Sequence, residues 1–337
     1  MNTTEIARIT SCFARYQRAR QALGSWLDYR HSLARKKVVL NHFPPALMIE
    51  PTNICNLKCP MCPSGNGSLS RNRGMMSLEL FTQIIDQVYC KIGILMLWNQ
   101  GESFLNPQFY NMLSYAQSKH LFTVISTNAS LELDVSRLAK LGIGKLIVSM
   151  DGISEETYDR YRINGNYQKV LSNLKALAAE PSLKDSLVWQ FIMMRHNEHE
   201  IPKVKALAAE LGVKRVEFKT VQIYSEADLA FLPRNPKYSR YKLTGSGFEL
   251  KTQILNHCRR LWTQPVINQD GEFSICCYDK DLSLPIGNLA QKSFEELWFS
   301  PRINRIREQI LKDRRSIPIC NNCGEGIVQR VKPKTTP

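Results

Sequence analysis

The chain has 337 residues, 43% of them hydrophobic, with 45 Lys and Arg against 30 Asp and Glu and hence a net charge of +15. That length holds one large domain and a smaller appendage with a real core, which excludes a disordered or fibrous chain. No apolar run reaches the ~20 residues of a membrane-spanning helix, and the N-terminus lacks the apolar segment of a secretory signal, so a cytoplasmic protein is expected.

Residues 1–44 read as a basic amphipathic helical extension. Ile6, Ile9, Phe13, Tyr16, Leu23 and Leu27 recur at helical spacing, Arg8, Arg15, Arg18 and Arg30 fall mostly off that stripe, and Gly24 is the expected break. Such a helix either packs outside the main domain or makes peripheral contact with an anionic membrane surface. The charge is concentrated at the two ends: residues 1–40 carry eight Lys or Arg against Glu5 and Asp28, and residues 301–337 carry nine against three acids. Acidic partners such as phosphorylated sugars suit those ends, while the nearly balanced middle argues against a broad polyanion groove.

Residues 45–230 alternate between strand and helix signals. Leu47 to Pro51, Gly93 to Asn99, Phe122 to Thr127, Lys145 to Met150, Leu187 to Met194 and Val216 to Ile223 are short apolar runs suited to strands buried on both faces. Between them, Leu78 to Tyr89, Pro107 to Lys119, Val135 to Leu141, Tyr167 to Ala179 and Pro202 to Leu211 have helical periodicity, with Ser77 and Asn106 as expected N-caps and Gly142 and Gly212 as stops. Six β/α units in a row predict an α/β fold, a partial (β/α)6 TIM-like barrel, with its chemistry on the loops after the strands.

Those loops carry the polar residues. Cys55, Cys59 and Cys62 follow the first strand, Gln100-Gly101-Glu102 the second, Ser126 to Asn128 close the third, and Ser149 and Asp151 close the fourth. Three thiols at x3 and x2 spacing in a tight turn can hold three corners of an iron-sulfur cube and leave one iron open. A zinc knuckle is the other reading, with His42 the nearby fourth ligand. Cys12 and Cys90 stand outside any pattern, and Cys90 reads as a packed thiol. His196, Glu198 and His199 read as a polar turn or a metal site, although further ligands are lacking.

The spacing Cys55-x3-Cys59-x2-Cys62 resembles the hallmark of the radical S-adenosylmethionine (SAM) superfamily, in which SAM binds the open iron of a 4Fe-4S cluster. Asn99-Gln100-Gly101-Glu102-Ser103 sits where that family carries a Gly-Gly-Glu-Pro-like motif; Gln100 and Ser103 depart from it, while Gly101 and Glu102 keep the expected role of holding the methionyl amino group. By the same resemblance Ser126, Asn128, Ser149 and Asp151 meet the SAM carboxylate and ribose, and Met61 and Val216 to Val221 lie against adenine. The resemblance implies one electron from a donor such as flavodoxin or ferredoxin, reductive cleavage of SAM, and a 5'-deoxyadenosyl radical that takes hydrogen from a substrate carbon.

Residues 231–257, punctuated by Pro233, Pro236 and two glycines, read as a linker. From 258 to 325, Cys258, Cys276, Cys320 and Cys323 supply four thiolates, the complement of a closed 4Fe-4S cluster or of a zinc site, with Gln269 to Glu272 as a hairpin turn between the first two. The spacing Cys258-x12-Gly271-x4-Cys276 followed by Cys320-x2-Cys323 resembles the SPASM/twitch extension of radical SAM enzymes, which implies one auxiliary cluster. Cys277 adjoins a ligand: where Cys276 binds the cluster, Cys277 is either a packed thiol or a candidate hydrogen donor, as free thiols are in radical epimerases. Residues 326–337 are a basic tail.

The three-plus-four arrangement of cysteines resembles that of a radical SAM aminocyclitol dehydrogenase. The expected function is therefore oxidation or epimerisation of a small carbohydrate-derived substrate, a sugar or cyclitol. Peptide-modifying relatives often carry a leader-binding domain of about a hundred residues, and only about 45 residues precede the first strand, so a peptide substrate would need an escort protein. A ribosomal-peptide-modifying enzyme remains one alternative; an RNA-modifying enzyme or a non-catalytic iron-sulfur or zinc protein is another. The absence of an aromatic-interleaved basic motif argues against nucleic acid.

Overall fold

A computed structural model describes residues 1, 3–245 and 247–324; the basic tail and the last residue of the 258–325 unit lie outside the described residues. The chain begins with α1 (Thr3–Phe13) and α2 (Tyr16–Arg35). The break falls at Ala14–Arg15, where Arg15 is extended (φ −71°, ψ 122°), and not at Gly24. Gly24 stays helical because its missing side chain makes room for the His42 ring, which a Cβ would meet at 2.2 Å.

Six parallel strands follow in chain order: β1 (Ala46–Ile49), β2 (Ile94–Leu97), β3 (Phe122–Thr127), β4 (Lys145–Ser149), β5 (Leu187–Met193) and β6 (Val216–Thr220). Between β1 and β2 lie α3 (Pro63–Asn66) and α4 (Leu78–Val88), then α5 (Phe109–Ser118), α6 (Val135–Lys140), α7 (Glu155–Asp159), α8 (Tyr167–Ala179) and α9 (Ile201–Glu210). Alternation along each strand sorts the core into two layers. Leu95, Leu97, Ile125, Leu146, Val148 and Trp189 face the helices. Phe122, Val124, Ile147 and Val188 face inward together with Ile94, Met96 and Trp98.

That inner face is sealed at one end by α1, whose Ile9 and Cys12 pack against it. Arg8 Nη1 donates to the Ile143 carbonyl and Ser186 Oγ, and Arg215 pairs with Glu5 at 2.7 Å. Arg18, fully buried, donates to the carbonyls of Cys12, Tyr89, Lys119 and His120, so its charge caps the C-terminal ends of α4 and α5. Two of the four basic residues expected on an outer face therefore bind the barrel. Ser77 caps α4 as expected, accepting from Leu80 N. Asn106 Oδ1 accepts from Gln108 N at 2.9 Å and so caps the turn leading into α5, which itself starts only at Phe109, while the Asn106 amide donates to the Pro51 and Met76 carbonyls.

After β6 the linker folds in part into a hairpin, β7 (Tyr241–Thr244) and β8 (Gly247–Leu250). The C-terminal unit holds α10 (Arg260–Thr263), β9 (Val266–Ile267), β10 (Glu272–Ser274), β11 (Gly287–Asn288), α11 (Phe294–Trp298) and α12 (Pro301–Asp313). Its strands extend the barrel sheet: β9 pairs in parallel with β1, and the sheet order is β11-β10-β9-β1-β2-β3-β4-β5-β6. The same unit reaches the other edge. Asn322 Nδ2 donates to the Ile223 carbonyl just past β6, and Asn322 Oδ1 accepts from Tyr241 Oη at 2.8 Å. The partial barrel is thus bridged at both edges by the C-terminal unit.

Candidate active site

The loop leaving β1 carries Cys55, Cys59 and Cys62, all free thiols, with Cys59 buried and the other two half-buried. Two glycines set its shape. Gly65 lies so close that a Cβ would meet Cys59 N at 2.7 Å, and Gly101, at φ +75°, lies on the chain just before Cys55, where a Cβ would meet the carbonyl oxygens of Thr52 at 2.5 Å and Ile54 at 2.7 Å. Gly101 N donates to Ser64 Oγ and Glu102 N to the Ile54 carbonyl at 2.8 Å. The loop after β2 is therefore strapped onto the three-cysteine loop.

Glu102 is buried, and its carboxylate accepts from Thr127 Oγ1 (2.9 Å), Asn128 N (2.7 Å) and Phe104 N (3.3 Å). Burial drives its pKa up, and these donors oppose that. An ionised carboxylate has about four acceptor positions, so room remains for a further donor. Asn128 is held over the cysteine loop: its Nδ2 donates to Asn56 Oδ1 at 2.9 Å and lies 3.9 Å from Cys55 Sγ. Ser126, next to last in β3, and Ser149, the last residue of β4, lie in the inward-facing rows of Phe122 and Val124, and of Ile147. Met61 and Val221, two residues expected against adenine, share one apolar cluster with Leu57, Cys59 and Tyr161.

Asp151 has a partner that the sequence reading missed. Its carboxylate accepts from Arg162 Nη2 at 2.6 Å and Nε at 2.7 Å and from Ile192 N at 2.6 Å, with no exposed surface. Asp151 is therefore paired with Arg162 and does not stand as a free acid. Burial opposes the Arg162 charge, but Asp151 and then Cys59 outweigh it and keep the guanidinium protonated. Glu50, at the end of β1, was missed as well. It pairs with Arg71 Nη2 at 3.0 Å and accepts from Asn99 Nδ2 and Gln100 N, while Arg71 Nε donates to the Lys280 carbonyl. One buried carboxylate thus joins β1, the loop after β2, the cysteine loop and the C-terminal unit. No sequence spacing announces either pair.

Burial first, with Glu102 and the other two thiols adding to it, pushes Cys55 up to about 12, and burial raises Cys59 against the pull of Arg162. Thiolates in this cleft need positive charge beside them, and iron ions would supply it. Three free, at least half-buried thiols on one short loop fit the donor set of an iron-sulfur cluster. Among the described residues, no three or more of His, Cys, Asp and Glu converge on a single-ion position, His196, Glu198 and His199 included. Glu198 instead accepts from Arg234 N and Asn235 N as a turn residue.

The second cysteine group also comes together. Cys258, Cys320 and Cys323 are buried. Burial and then the neighbouring Cys277, Cys258 and Cys323 raise the Cys276 thiol well above its ordinary value. Burial likewise raises Cys320, with Cys258 adding to it and Arg314 opposing. Arg314 Nη2 donates to the Cys323 carbonyl and its Nη1 to that of His257, so one guanidinium ties the two ends of the group. Cys277 lies outside the four, with Arg260 Nη1 at 3.0 Å from its sulfur.

Comparison with known proteins agrees with this geometry. Residues 49–208 match the model of the radical SAM superfamily, and residues 258–324 match the SPASM iron-sulfur cluster-binding domain. An AdoMet-dependent heme synthase of Methanosarcina barkeri is 27% identical over 52% of this chain and 50% of its own length; the antilisterial bacteriocin subtilosin biosynthesis protein AlbA of Bacillus subtilis is 25% identical over 84% and 68%. The chain spans about half the length of the heme synthase and of the PqqA peptide cyclases it also matches. Among solved structures, BtrN with AdoMet and 2-DOIA bound superposes with a TM-score of 0.53 at 16% identity, covering 87% of this chain and 98% of BtrN. Streptococcus suis SuiB bound to S-adenosylmethionine gives a TM-score of 0.61 at 16% identity, covering 89% and 76%.

Proposed function

Since the chain belongs to the radical SAM superfamily and ends in a SPASM iron-sulfur domain, we propose that it takes a hydrogen atom from a sugar or cyclitol carbon and oxidises that substrate as a dehydrogenase. When bound, a 4Fe-4S cluster and SAM supply the 5'-deoxyadenosyl radical, after one electron arrives from a flavodoxin- or ferredoxin-like donor. Cys55, Cys59 and Cys62 would hold that cluster, leaving one iron for SAM. Gly101 and Glu102 would hold the methionyl amino group, the Glu102 carboxylate having an acceptor position left for it. Asn128, Ser126 and Ser149 offer hydrogen bonds from the strand ends. Arg162, held by Asp151, presents a buried positive charge suited to a carboxylate. Leu57, Met61 and Val221 keep water from the adenine side.

The observation that carries the oxidative reading is the position of the C-terminal cysteines. Cys258, Cys276, Cys320 and Cys323 would hold the auxiliary cluster, and their unit is pinned to the barrel rim on both sides, through Arg71 with Lys280 and through Asn322 with Ile223. That pinning supports an electron acceptor held within reach of the substrate. Loss of one hydrogen atom, one electron and one proton is a two-electron oxidation of an alcohol to a ketone. BtrN, whose structure holds 2-DOIA, has nearly its whole length covered by this chain. Ribosomal-peptide modification is the second reading, favoured by the likeness to AlbA over 84% of the chain.

The test is anaerobic turnover with deuterium-labelled sugars and cyclitols and, in parallel, labelled peptides, measuring deuterium in 5'-deoxyadenosine. Transfer from a sugar carbon with a keto product supports the proposal. An inverted stereocentre carrying solvent deuterium replaces dehydrogenation with epimerisation, and transfer from peptides alone overturns the carbohydrate reading.

A further inference from the structure

Helix α2 is amphipathic in the opposite sense to a helix on a protein surface. Its buried residues are Arg18, Gly24, Ser25, Asp28, Tyr29 and Ser32. Its outward row holds Tyr16 (80% exposed), Leu23 (61%), Trp26 (47%) and Leu27 (38%), joined by Ala19 and Ala34 on the same side. An ordinary surface helix turns its apolar stripe to the core.

The inner row cannot give up its place. Asp28 accepts from Asn41 N, His42 N and His42 Nδ1, Ser25 Oγ donates to the Trp262 carbonyl, Tyr29 Oη meets His257 Nδ1, and Arg18 caps two helices of the barrel. Rolling the helix to bury Leu23 and Trp26 would break all of these and strand a buried carboxylate and a buried guanidinium. The apolar row is therefore fixed outward.

The charges around it are of one sign. Arg15, Arg20, Arg30, Arg35, Lys36 and Lys37 are exposed, and the one acid between residues 15 and 37, Asp28, is turned inward. Arg30 lies over the Trp26 ring, 5.5 Å from its centroid. A convex ridge of Trp, Tyr and Leu about one side chain high, flanked by cations along a 20-residue helix, has the composition of a helix lying in a membrane interface. A protein partner would be expected to meet a more mixed set of charges.

We infer that α2 docks the enzyme on an anionic lipid surface, with Leu23, Trp26 and Leu27 entering the headgroup layer and Arg20 and Arg30 beside the lipid phosphates. This reading rests on α2 alone and is independent of the substrate.

The test uses the full chain, reconstituted, with phosphatidylcholine vesicles with and without phosphatidylglycerol. The wild type is expected to sediment with the anionic vesicles only. Arg20→Gln with Arg30→Gln lowers that partition about 25-fold, about fivefold per charge, and Leu23→Glu with Trp26→Glu abolishes it. Because all four residues are exposed, circular dichroism and iron content should match the wild type in both variants. Quenching of fluorescence by brominated lipid should fall in Trp26→Phe. Wild-type protein that stays in the supernatant, or binding that the Leu23→Glu, Trp26→Glu variant retains, overturns the inference. Self-association that this variant abolishes, without vesicle binding, assigns the face to a second copy of the chain and also overturns it.

Discussion

Replacing Glu50 with alanine probes the joint between the barrel and its C-terminal unit. The Glu50 carboxylate has no exposed surface, and the Arg71 side chain beside it is 6% exposed, so the substitution leaves a guanidinium buried without a counter-charge. It also strips an acceptor from Gln100 N and Asn99 Nδ2. Orphaning a buried charge costs about 3–5 kcal/mol, a figure that reflects the stranded partner more than the worth of the intact pair. Against the roughly 5–15 kcal/mol of a whole domain, that is a large share. Adding Arg71→Met removes the stranded charge, so the double variant should recover about 1–3 kcal/mol relative to the sum of the two single changes. Anaerobic urea unfolding followed by tryptophan fluorescence measures both quantities. A Glu50→Ala cost below about 1 kcal/mol, or strict additivity in the double variant, would refute the assignment of Glu50 as the joint.

Gly101→Ala forces a Cβ to 2.5 Å from the Thr52 carbonyl oxygen at a φ of +75°, displacing the chain just ahead of Cys55; formation of 5'-deoxyadenosine should fall about 100-fold, and an unchanged rate would show that the strap does not matter. Cys320→Ser with Cys323→Ser should lower iron from about eight to about four per chain, measured after anaerobic reconstitution, whereas unchanged iron would remove these residues from the ligand set. Burial works to raise the Glu217 carboxyl, but Lys145 and then Lys219 prevail and hold it at about 2. A depressed carboxylate contributes stability above its unfolded value near 4.3 that is lost as pH falls towards 2, here about 1–2 kcal/mol after solvent screening. Acid unfolding of Glu217→Gln should lack that component, and a profile parallel to the wild type contradicts it.

Much of the barrel is legible in the sequence because burial leaves short runs rich in β-branched and apolar residues, such as Phe122 to Thr127, and β3 spans those same residues. The first cysteine group is legible because it sits in one short segment, and the second because Cys258-x12-Gly271-x4-Cys276 and Cys320-x2-Cys323 each carry a spacing of their own. Asp151 is visible as a polar strand end, but its engagement by Arg162 is not, since the arginine lies in a turn after α7 without periodicity. Glu50 reads as a residue near the end of the strand Leu47 to Pro51, and its partners come from loops that only the fold assembles. The reversed facing of α2 is hidden for a related reason: periodicity reports that a helix has an apolar side, while the polar anchors that decide which side faces out, Asp28 and Arg18, find their partners in other elements.

The bridging of both barrel edges has a consequence for synthesis. Edge strand β1 pairs on one side with β2 soon after it emerges, but its other side waits for Val266 and Ile267, and the far edge past β6 waits for Asn322. Until nearly the last of these residues leaves the ribosome, the nascent sheet presents unpaired edges with apolar faces, the kind of surface on which chains associate wrongly. A chain cut after β6 would keep every residue of the three-cysteine loop and still lack the closure that holds that loop in place. Closure around the three-cysteine loop is thereby coupled to synthesis of the C-terminal unit.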